Sequence, residues 1–247
     1  MKNIVFLIIL SFVVLKGAAQ EDKKQNLGTF IGIPKGINLT DLANWKALNM
    51  DANTVWGVHN NIKGNAFYNE KWNKAYILLQ DKRIEKDVFM NFNIYTNEIY
   101  YLFDSLVLVL NPAIKVSEFG INDPKSDSGN VTVFRCGYPA IDNNTTKTFY
   151  KVLANSKIEL LLHYNKTIIE ATDPTGVPEK KFINSESWYI YNTGENKIIP
   201  IKKNKNSLIA ALPQYSKTIE AVIREKKLKL KREIDWVILL NELNKPV

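Results

Sequence analysis

Sulfur and imidazole are scarce in this chain: 247 residues carry one cysteine, three methionines and two histidines. The lone Cys136 excludes an intramolecular disulfide. An exported chain of this length needs none, because its core is large enough. Cys136 closes the strand-like run Val131–Cys136 and reads as a small core hydrophobe rather than a catalytic thiol. His59 and His163 lie far apart, each in strand-like surroundings, and neither has a second ligand at metal spacing. No Gly-x-Ser-x-Gly elbow, phosphate-binding glycine loop, dinucleotide fingerprint or helical histidine–glutamate zinc motif occurs. No cofactor is therefore expected.

Long apolar runs are also missing after the first fifteen residues. The chain opens Met1-Lys2-Asn3, continues uncharged from Ile4 to Leu15, and exits through Lys16-Gly17-Ala18-Ala19-Gln20. A basic start, a short apolar centre and small exit residues form a secretory signal peptide over residues 1–19, cleaved near Ala19–Gln20. Its apolar run of about twelve residues falls short of the ~20 needed to span a bilayer. The mature chain is expected in the periplasm or secreted, with no transmembrane segment. Loss of residues 1–19 removes Lys2 and Lys16 and no acid, so the net charge falls from +8 to +6. That balance favours solubility and weak attraction to anionic surfaces, and nucleic acid is not an expected partner.

What is present is a series of short β-branched and aromatic runs bounded by turn residues. Ala75–Leu79, Val88–Tyr95, Ile99–Phe103 and Val107–Leu110 read as an antiparallel meander, followed by Lys115–Phe119 and Val131–Cys136. Two further hairpins are expected, Lys147–Leu153 with Ile158–Tyr164, and Ser187–Tyr191 with Lys197–Lys202. Pro200 puts the last strand on an edge or at a bulge. Within Val88–Tyr95 one parity is apolar and the other mixed, as in a sheet with one wetter face. Ile99–Phe103 and Val107–Leu110 are apolar throughout and read as the buried centre.

Upstream, residues 20–61 form a polar leader or loosely packed arm, with a short helix expected over Asn38–Met50 and a strand at Thr54–His59. After Lys205 the alternation stops. Ser207–Leu212 suits a short helix, Pro213 opens a second reaching about Lys226, and Glu233–Leu243 makes a third. The fold class expected is α+β: mainly antiparallel β, as a meander, sandwich or barrel-like sheet. The β-rich domain spans residues 62–205, and C-terminal helices over 206–247 pack on it.

The stretches Gly64–Trp72, Phe149–Leu153 with Ile158–Leu161, Trp188–Ile190 with Lys202-Lys203 and Ser207-Leu208, and Ile223–Lys231 are suggestive together. The chain resembles uncharacterised exported bacterial envelope proteins that carry a β-meander and a lysine-rich C-terminal helical tail. The resemblance spans roughly Ile62–Leu243. It implies export and fold style, and brings no catalytic residue with it.

Two sites are expected. Phe67, Tyr68, Trp72 and Trp188 could form the aromatic mouth of an apolar ligand site. Arg224, Lys226, Lys227, Lys229 and Lys231 cluster in a connector that could meet an anionic envelope surface or a partner protein. The chain thus reads as a non-enzymatic binding or protein-interaction module of the envelope. The alternative is a glycan-directed hydrolase using two strand-end carboxylates from Asp87, Glu98, Asp104 and Glu118.

Overall fold

The computed structural model describes residues 47–51, 62–103, 106–122 and 131–245. The expected signal peptide, the strand expected at Thr54–His59 and Asp104 lie outside them. Among the described residues, twelve strands join in one sheet. They are β1 (Ala47–Asp51), β2 (Ile62–Lys63), β3 (Asn73–Leu79), β4 (Ile84–Asn93), β5 (Glu98–Phe103), β6 (Leu106–Val109), β7 (Val116–Asn122), β8 (Val131–Arg135), β9 (Tyr150–Ala154), β10 (Ile158–Thr172), β11 (Pro178–Asn192) and β12 (Lys197–Ile201). The spatial order is β1-β6-β5-β4-β3-β7-β8-β9-β10-β11-β12, with β2 added in parallel on β11 and every other pairing antiparallel. Three helices follow: α1 (Lys205–Ala211), α2 (Ser216–Glu225) and α3 (Glu233–Leu243), with a 3-10 turn at Pro213–Tyr215 between the first two. The fold is α+β, and its sheet is open rather than closed into a barrel.

Local chemistry explains the strand order. The β4–β5 turn puts Asn97 at φ 58°, a conformation that asparagine tolerates, and the Asn93 side chain accepts the Thr96 N–H at 3.1 Å. The β11–β12 turn uses Asn196 at φ 49° in the same way. Opposite Tyr76, β4 carries two residues, Lys86 and Asp87, and Asp87 at φ 57° makes the bulge. The bulge adds twist, and the sheet curls over its apolar face. The Phe92 ring on β4 lies 5.3 Å from Phe119 on β7 and 5.2 Å from Phe134 on β8, although β3 separates β4 from β7.

The opposite face of β4 departs from the sequence expectation. Phe89 and Tyr95 are exposed there, but Asn91 and Asn93 are buried. The chain before β3 covers them, with the Tyr68 N–H donating to the Phe92 carbonyl at 2.8 Å. Asn91 fills the kink that results. Its Nδ2 donates to the Asn69 carbonyl at 2.8 Å and the Lys71 carbonyl at 3.2 Å, and its Oδ1 accepts from Asn69 N at 3.3 Å. An amide can be buried because each of its groups is occupied.

Gly120 on β7 allows a similarly close approach. A Cβ there would stand 2.2 Å from Tyr76 Cε1 and 2.5 Å from Val131 Cγ1. The Tyr76 ring cannot swing away freely, since its hydroxyl donates to Glu118 Oε1 at 2.7 Å. Gly120→Ala is therefore expected to cost about 2–3 kcal/mol through overpacking. A urea midpoint within error of the parent would contradict it.

The C-terminal half has its own core. Leu160, Leu162, Trp188, Ile190 and Ile201 face Leu208, Leu212, Ile219, Trp236, Leu239 and Leu240 of the helices. On the other face of β9–β12, the loop between β8 and β9 lays Tyr138 against Tyr150, Leu161 and Tyr189. Helix α1 is capped by Asn204, whose side chain accepts the Ser207 N–H at 2.9 Å. At the end of α3, Asn244 grips the start of β10, accepting from Ile158 N and donating to Ile158 O, each at 2.9 Å. The two halves of the sheet meet at only two rungs, Phe134↔Lys151 and Arg135↔Tyr150.

Several expectations need correction. Residues 47–50, expected to end a helix, form a strand that pairs with β6, because Ala47↔Leu108 and Leu48↔Val107 complete a ladder edge. The apolar strands β5 and β6 lie near the β1 end of the sheet, not at its centre. Their second face is buried by Ala66 and Phe67. The hairpin expected to stop at Tyr164 continues, since β10 and β11 are each fifteen residues long. Pro200 does lie on an edge strand, β12. No helix among the described residues is long and apolar enough to cross a membrane.

Candidate functional site

The long β10–β11 hairpin leaves the body of the sheet as an arm, and a hollow sits at its root. Tyr164 and Lys166 project from the inner face of β10, with Asn184 and Glu186 opposite them on β11. Tyr68 and Ile94 close the other side, and Asn165 and Ser185 complete the lining. The Lys166 ammonium donates to the Phe67 carbonyl at 2.9 Å and also to the Asn65 carbonyl, tying the arm to the chain before β3. Burial lowers the Lys166 pKa. The Tyr68 ring lies 5.6 Å from that of Tyr164 and 5.0 Å edge-to-face from Phe134.

Behind the hollow, the Lys151 ammonium donates to Glu233 Oε2 at 2.8 Å and lies 3.4 Å from the Tyr164 hydroxyl. Burial opposes its charge, but the oxygens of Tyr68, Tyr164 and Glu233 outweigh that and hold its pKa above the ordinary value. The hollow measures about 180 Å³. At about 30 Å³ per water it would hold roughly six waters, or one large side chain. It offers two tyrosine rings and an isoleucine for apolar contact, with a carboxylate and an amide at the rim.

A wider, shallower hollow of about 470 Å³ lies past the end of β12. Asp142, Ser187, Tyr189 and Pro200–Lys203 line it, and Glu186 is shared with the first. The Lys203 ammonium sits 4.7 Å from the centre of the Trp188 ring.

The four aromatics expected at one mouth are not brought together. Tyr68 lines the inner hollow and Trp188 borders the outer one, where its ring is buried against Trp236 at 5.6 Å. Phe67 is buried edge-to-face on Tyr100 at 5.0 Å, and Trp72 packs against the same cluster. These two fill a core because the chain before β3 has to cover β5 and β6. The connector residues Arg224, Lys226, Lys227, Lys229 and Lys231 are all exposed. Lys226 lies 3.6 Å from Glu242, and the neighbouring Leu230 turns inward so that its carbonyl accepts the Trp236 indole N–H at 3.0 Å.

The carboxylates are largely committed elsewhere. Arg135 on β8 binds Glu118 Oε2 through Nε at 2.8 Å and Nη2 at 2.7 Å, and Glu159 Oε1 through Nη1 at 3.0 Å. Tyr76 and Tyr138 donate to the remaining oxygens of Glu118 and Glu159, each at 2.7 Å. Asp87, the exposed bulge residue of β4, lies 3.7 Å from Lys74. His163 is half-buried with its ring 5.5 Å from that of Tyr150, and burial lowers its pKa. The Cys136 thiol donates to the Val116 carbonyl at 3.1 Å, and burial pushes its pKa up. No group of three or more metal-ligating side chains forms among the described residues.

Sequence reasoning missed Lys151, Tyr164, Lys166, Arg135, Glu159 and Glu186. One signal was available: Tyr164 and Lys166 continue the parity of Leu160 and Leu162, which places them on one face of a longer strand.

Buried tyrosines set an alkaline limit to the fold. Burial raises the pKa of Tyr76, Tyr101 and Tyr138, and pushes Tyr150 up to about 12. A phenol with a raised pKa keeps its proton in the fold after the unfolded chain has lost it. Stability is therefore full below pH 10 and falls as pH rises through 12, by about 1.4 kcal/mol per pH unit for each such phenol. Absorbance at 295 nm should show a late group of tyrosines ionising together with loss of circular dichroism. Smooth ionisation of all of them near pH 10 with the fold intact would contradict this.

Comparison with known protein families, with curated proteins and with solved structures finds no match to this chain.

Proposed function

We propose that the chain is an exported, soluble protein of the bacterial envelope that acts as a non-enzymatic binding or protein-interaction module. The observation that carries the binding reading is the Tyr68–Ile94–Tyr164 hollow at the root of the hairpin arm, apolar inside and polar at its rim. The N-terminal sequence and the resemblance to exported envelope proteins support export. Against the hydrolase stands the use of Glu118, one of its four candidate carboxylates, as a partner of Arg135. A glycosidase needs two carboxyl groups free to act on its substrate.

The test is made in cells that export the full chain. A photo-reactive residue replacing Glu186, at the rim, should give a discrete adduct that disappears when Tyr164→Ala is added. The same group at exposed Thr218 on α2 should give none. Equal adducts at both positions, or none at either, would sink the binding site. Recovery of the chain in the cytosol with residues 1–19 still attached would sink export.

The basic connector offers a second contact. Changing Lys226, Lys227, Lys229 and Lys231 together to glutamine should weaken cosedimentation with anionic lipid vesicles at low salt. Each exposed lysine near such a surface contributes about 1 kcal/mol. Unchanged sedimentation would remove the surface-contact role and leave a solvated link between α2 and α3.

A further inference from the structure

We infer that helix α3 rests on an anionic lipid bilayer, with Ile234 and Ile238 entering the headgroup layer among the basic residues beside them. The inference rests on the surface-contact reading of the basic connector, and names the surface and how the chain enters it. Trp236, Leu239, Leu240 and Leu243 of α3 belong to the core beneath the helix. At about 3.6 residues per turn, Ile234, Val237, Ile238 and Asn241 fall on the side away from that core. Ile234 is half exposed, and Val237 and Ile238 are partly so. A helix on the surface of a globular core ordinarily carries polar residues on its outer side. Here three of the four are branched and apolar, and helix propensity does not favour them.

The connector runs back along one flank of α3. Lys226 Nζ lies 3.6 Å from Glu242 near the end of the helix, and Arg232 Nη2 lies 3.1 Å from Asp235 at its start. Lys227, Lys229 and Lys231 are exposed between them, and Lys245 adds an ammonium 2.7 Å from Glu242. From Arg224 to Lys245 there are seven basic and four acidic residues, a net charge of +3. The charges are also sorted by depth. Glu242 is 22% exposed against 50% for Lys226 and 63% for Lys245, and Asp235 is 5% exposed against 77% for Arg232. Glu233 is turned to Lys151, so of the four acids only Glu225 is fully exposed. An approaching surface meets the cations first, with branched apolar side chains beside them.

That composition suits lipid better than a protein partner. Protein interfaces are enriched in aromatic residues and arginine and depleted in lysine. Here the exposed cations are mostly lysine, and no aromatic stands on the outer side of α3. Lysine stems lie along apolar side chains while their ammoniums stay with phosphate oxygens. Apolar residues on one side of a helix, with lysines beside them, are the arrangement of a segment lying in the plane of a membrane surface. The eleven residues of α3 lie along such a surface and do not cross it.

The chain is purified as cells export it and mixed with phosphatidylcholine vesicles, with and without phosphatidylglycerol. Cosedimentation should require phosphatidylglycerol and weaken with salt. Ile234→Ser together with Ile238→Ser should lower vesicle affinity about tenfold, from the lost burial of two apolar side chains. The same pair should leave the urea midpoint little changed, since both residues stand away from the core. In Cys136→Ser, a polarity-sensitive dye on Ile234→Cys should shift to the blue with anionic vesicles. On Thr218→Cys, at an exposed position of α2, it should not.

A serine pair that sediments like the parent, with no dye shift, overturns insertion. The surface contact then stands if the lysine-to-glutamine change still weakens binding. A parent chain that binds neither kind of vesicle overturns both readings. Equal binding to the two kinds overturns the anionic surface. Two further results give the face to another occupant and overturn the bilayer. If iodide fails to quench the dye in the free chain, the chain's own residues cover α3. If a photo-reactive residue at Ile238 gives a discrete protein adduct in cells, and none with lipid, the occupant is a protein.

Discussion

Arg135→Met should lower folding stability by about 3 kcal/mol, the largest loss expected from removing one charge. Among the described residues, Arg135 is the cation between two carboxylates whose side chains are only 15% and 7% exposed, Glu118 on β7 and Glu159 on β10. Removing it leaves both acids desolvated and facing each other, and breaking a buried pair costs about 3–5 kcal/mol. The guanidinium is itself 25% exposed, which places the expectation at the low end. The penalty lies in the stranded charges rather than in the lost attraction. Adding Glu118→Gln and Glu159→Gln to Arg135→Met should therefore recover part of the loss. Urea unfolding measures both. A single variant within 0.5 kcal/mol of the parent, or a triple variant weaker than the single, would show that water screens the network.

Trp236→Ala is expected to cost about 3–5 kcal/mol. The side chain is fully buried, lies against Trp188, and donates its indole N–H to the Leu230 carbonyl. Its loss opens a cavity where α3 meets the sheet and frees Leu230, a non-glycine residue held at φ 55°. Trp236→Phe should cost less, because the ring keeps most of its contacts and only the N–H is lost. The Asn244–Ile158 bonds hold the far end of α3, so the sheet signal should outlast the helix signal on heating Trp236→Ala. If the two melt together at the parent's midpoint, the helical layer does not depend on this residue.

Some of these elements could be read directly from residues. Pro213 and the apolar run Trp236–Leu240 mark the helices because their spacing and their all-round apolarity fit no strand. The turn-bounded runs of the meander fix β3 to β7 in outline. The outer parts of β10 and β11 were not legible. Asn165, Thr167, Asn184 and Ser185 look like loop, because an arm with one layer buries little and is held by its backbone ladder. The inner hollow draws Tyr68, Ile94, Tyr164 and Glu186 from separate parts of the chain, and the Arg135 network draws on β7, β8 and β10. Periodicity reports which face a residue occupies, but carries nothing about which distant strand faces it. Asn91 misled for a related reason, since its polarity answers the needs of the kink at Asn69–Lys71 rather than those of solvent.

The strand order also determines how the chain can reach this state. Eight of the eleven pairings join strands adjacent in sequence, and only β1–β6, β3–β7 and β2–β11 do not. Hairpins such as β10–β11 close within a short loop and pay little entropy before contacts form. β3 and β7 cannot zip until β4, β5 and β6 have been looped out between them. β1 needs an even longer loop to find β6. The slow searches therefore belong to the three long closures, β7 on β3, β6 on β1 and β11 on β2, while the C-terminal hairpins and helices can assemble from local encounters.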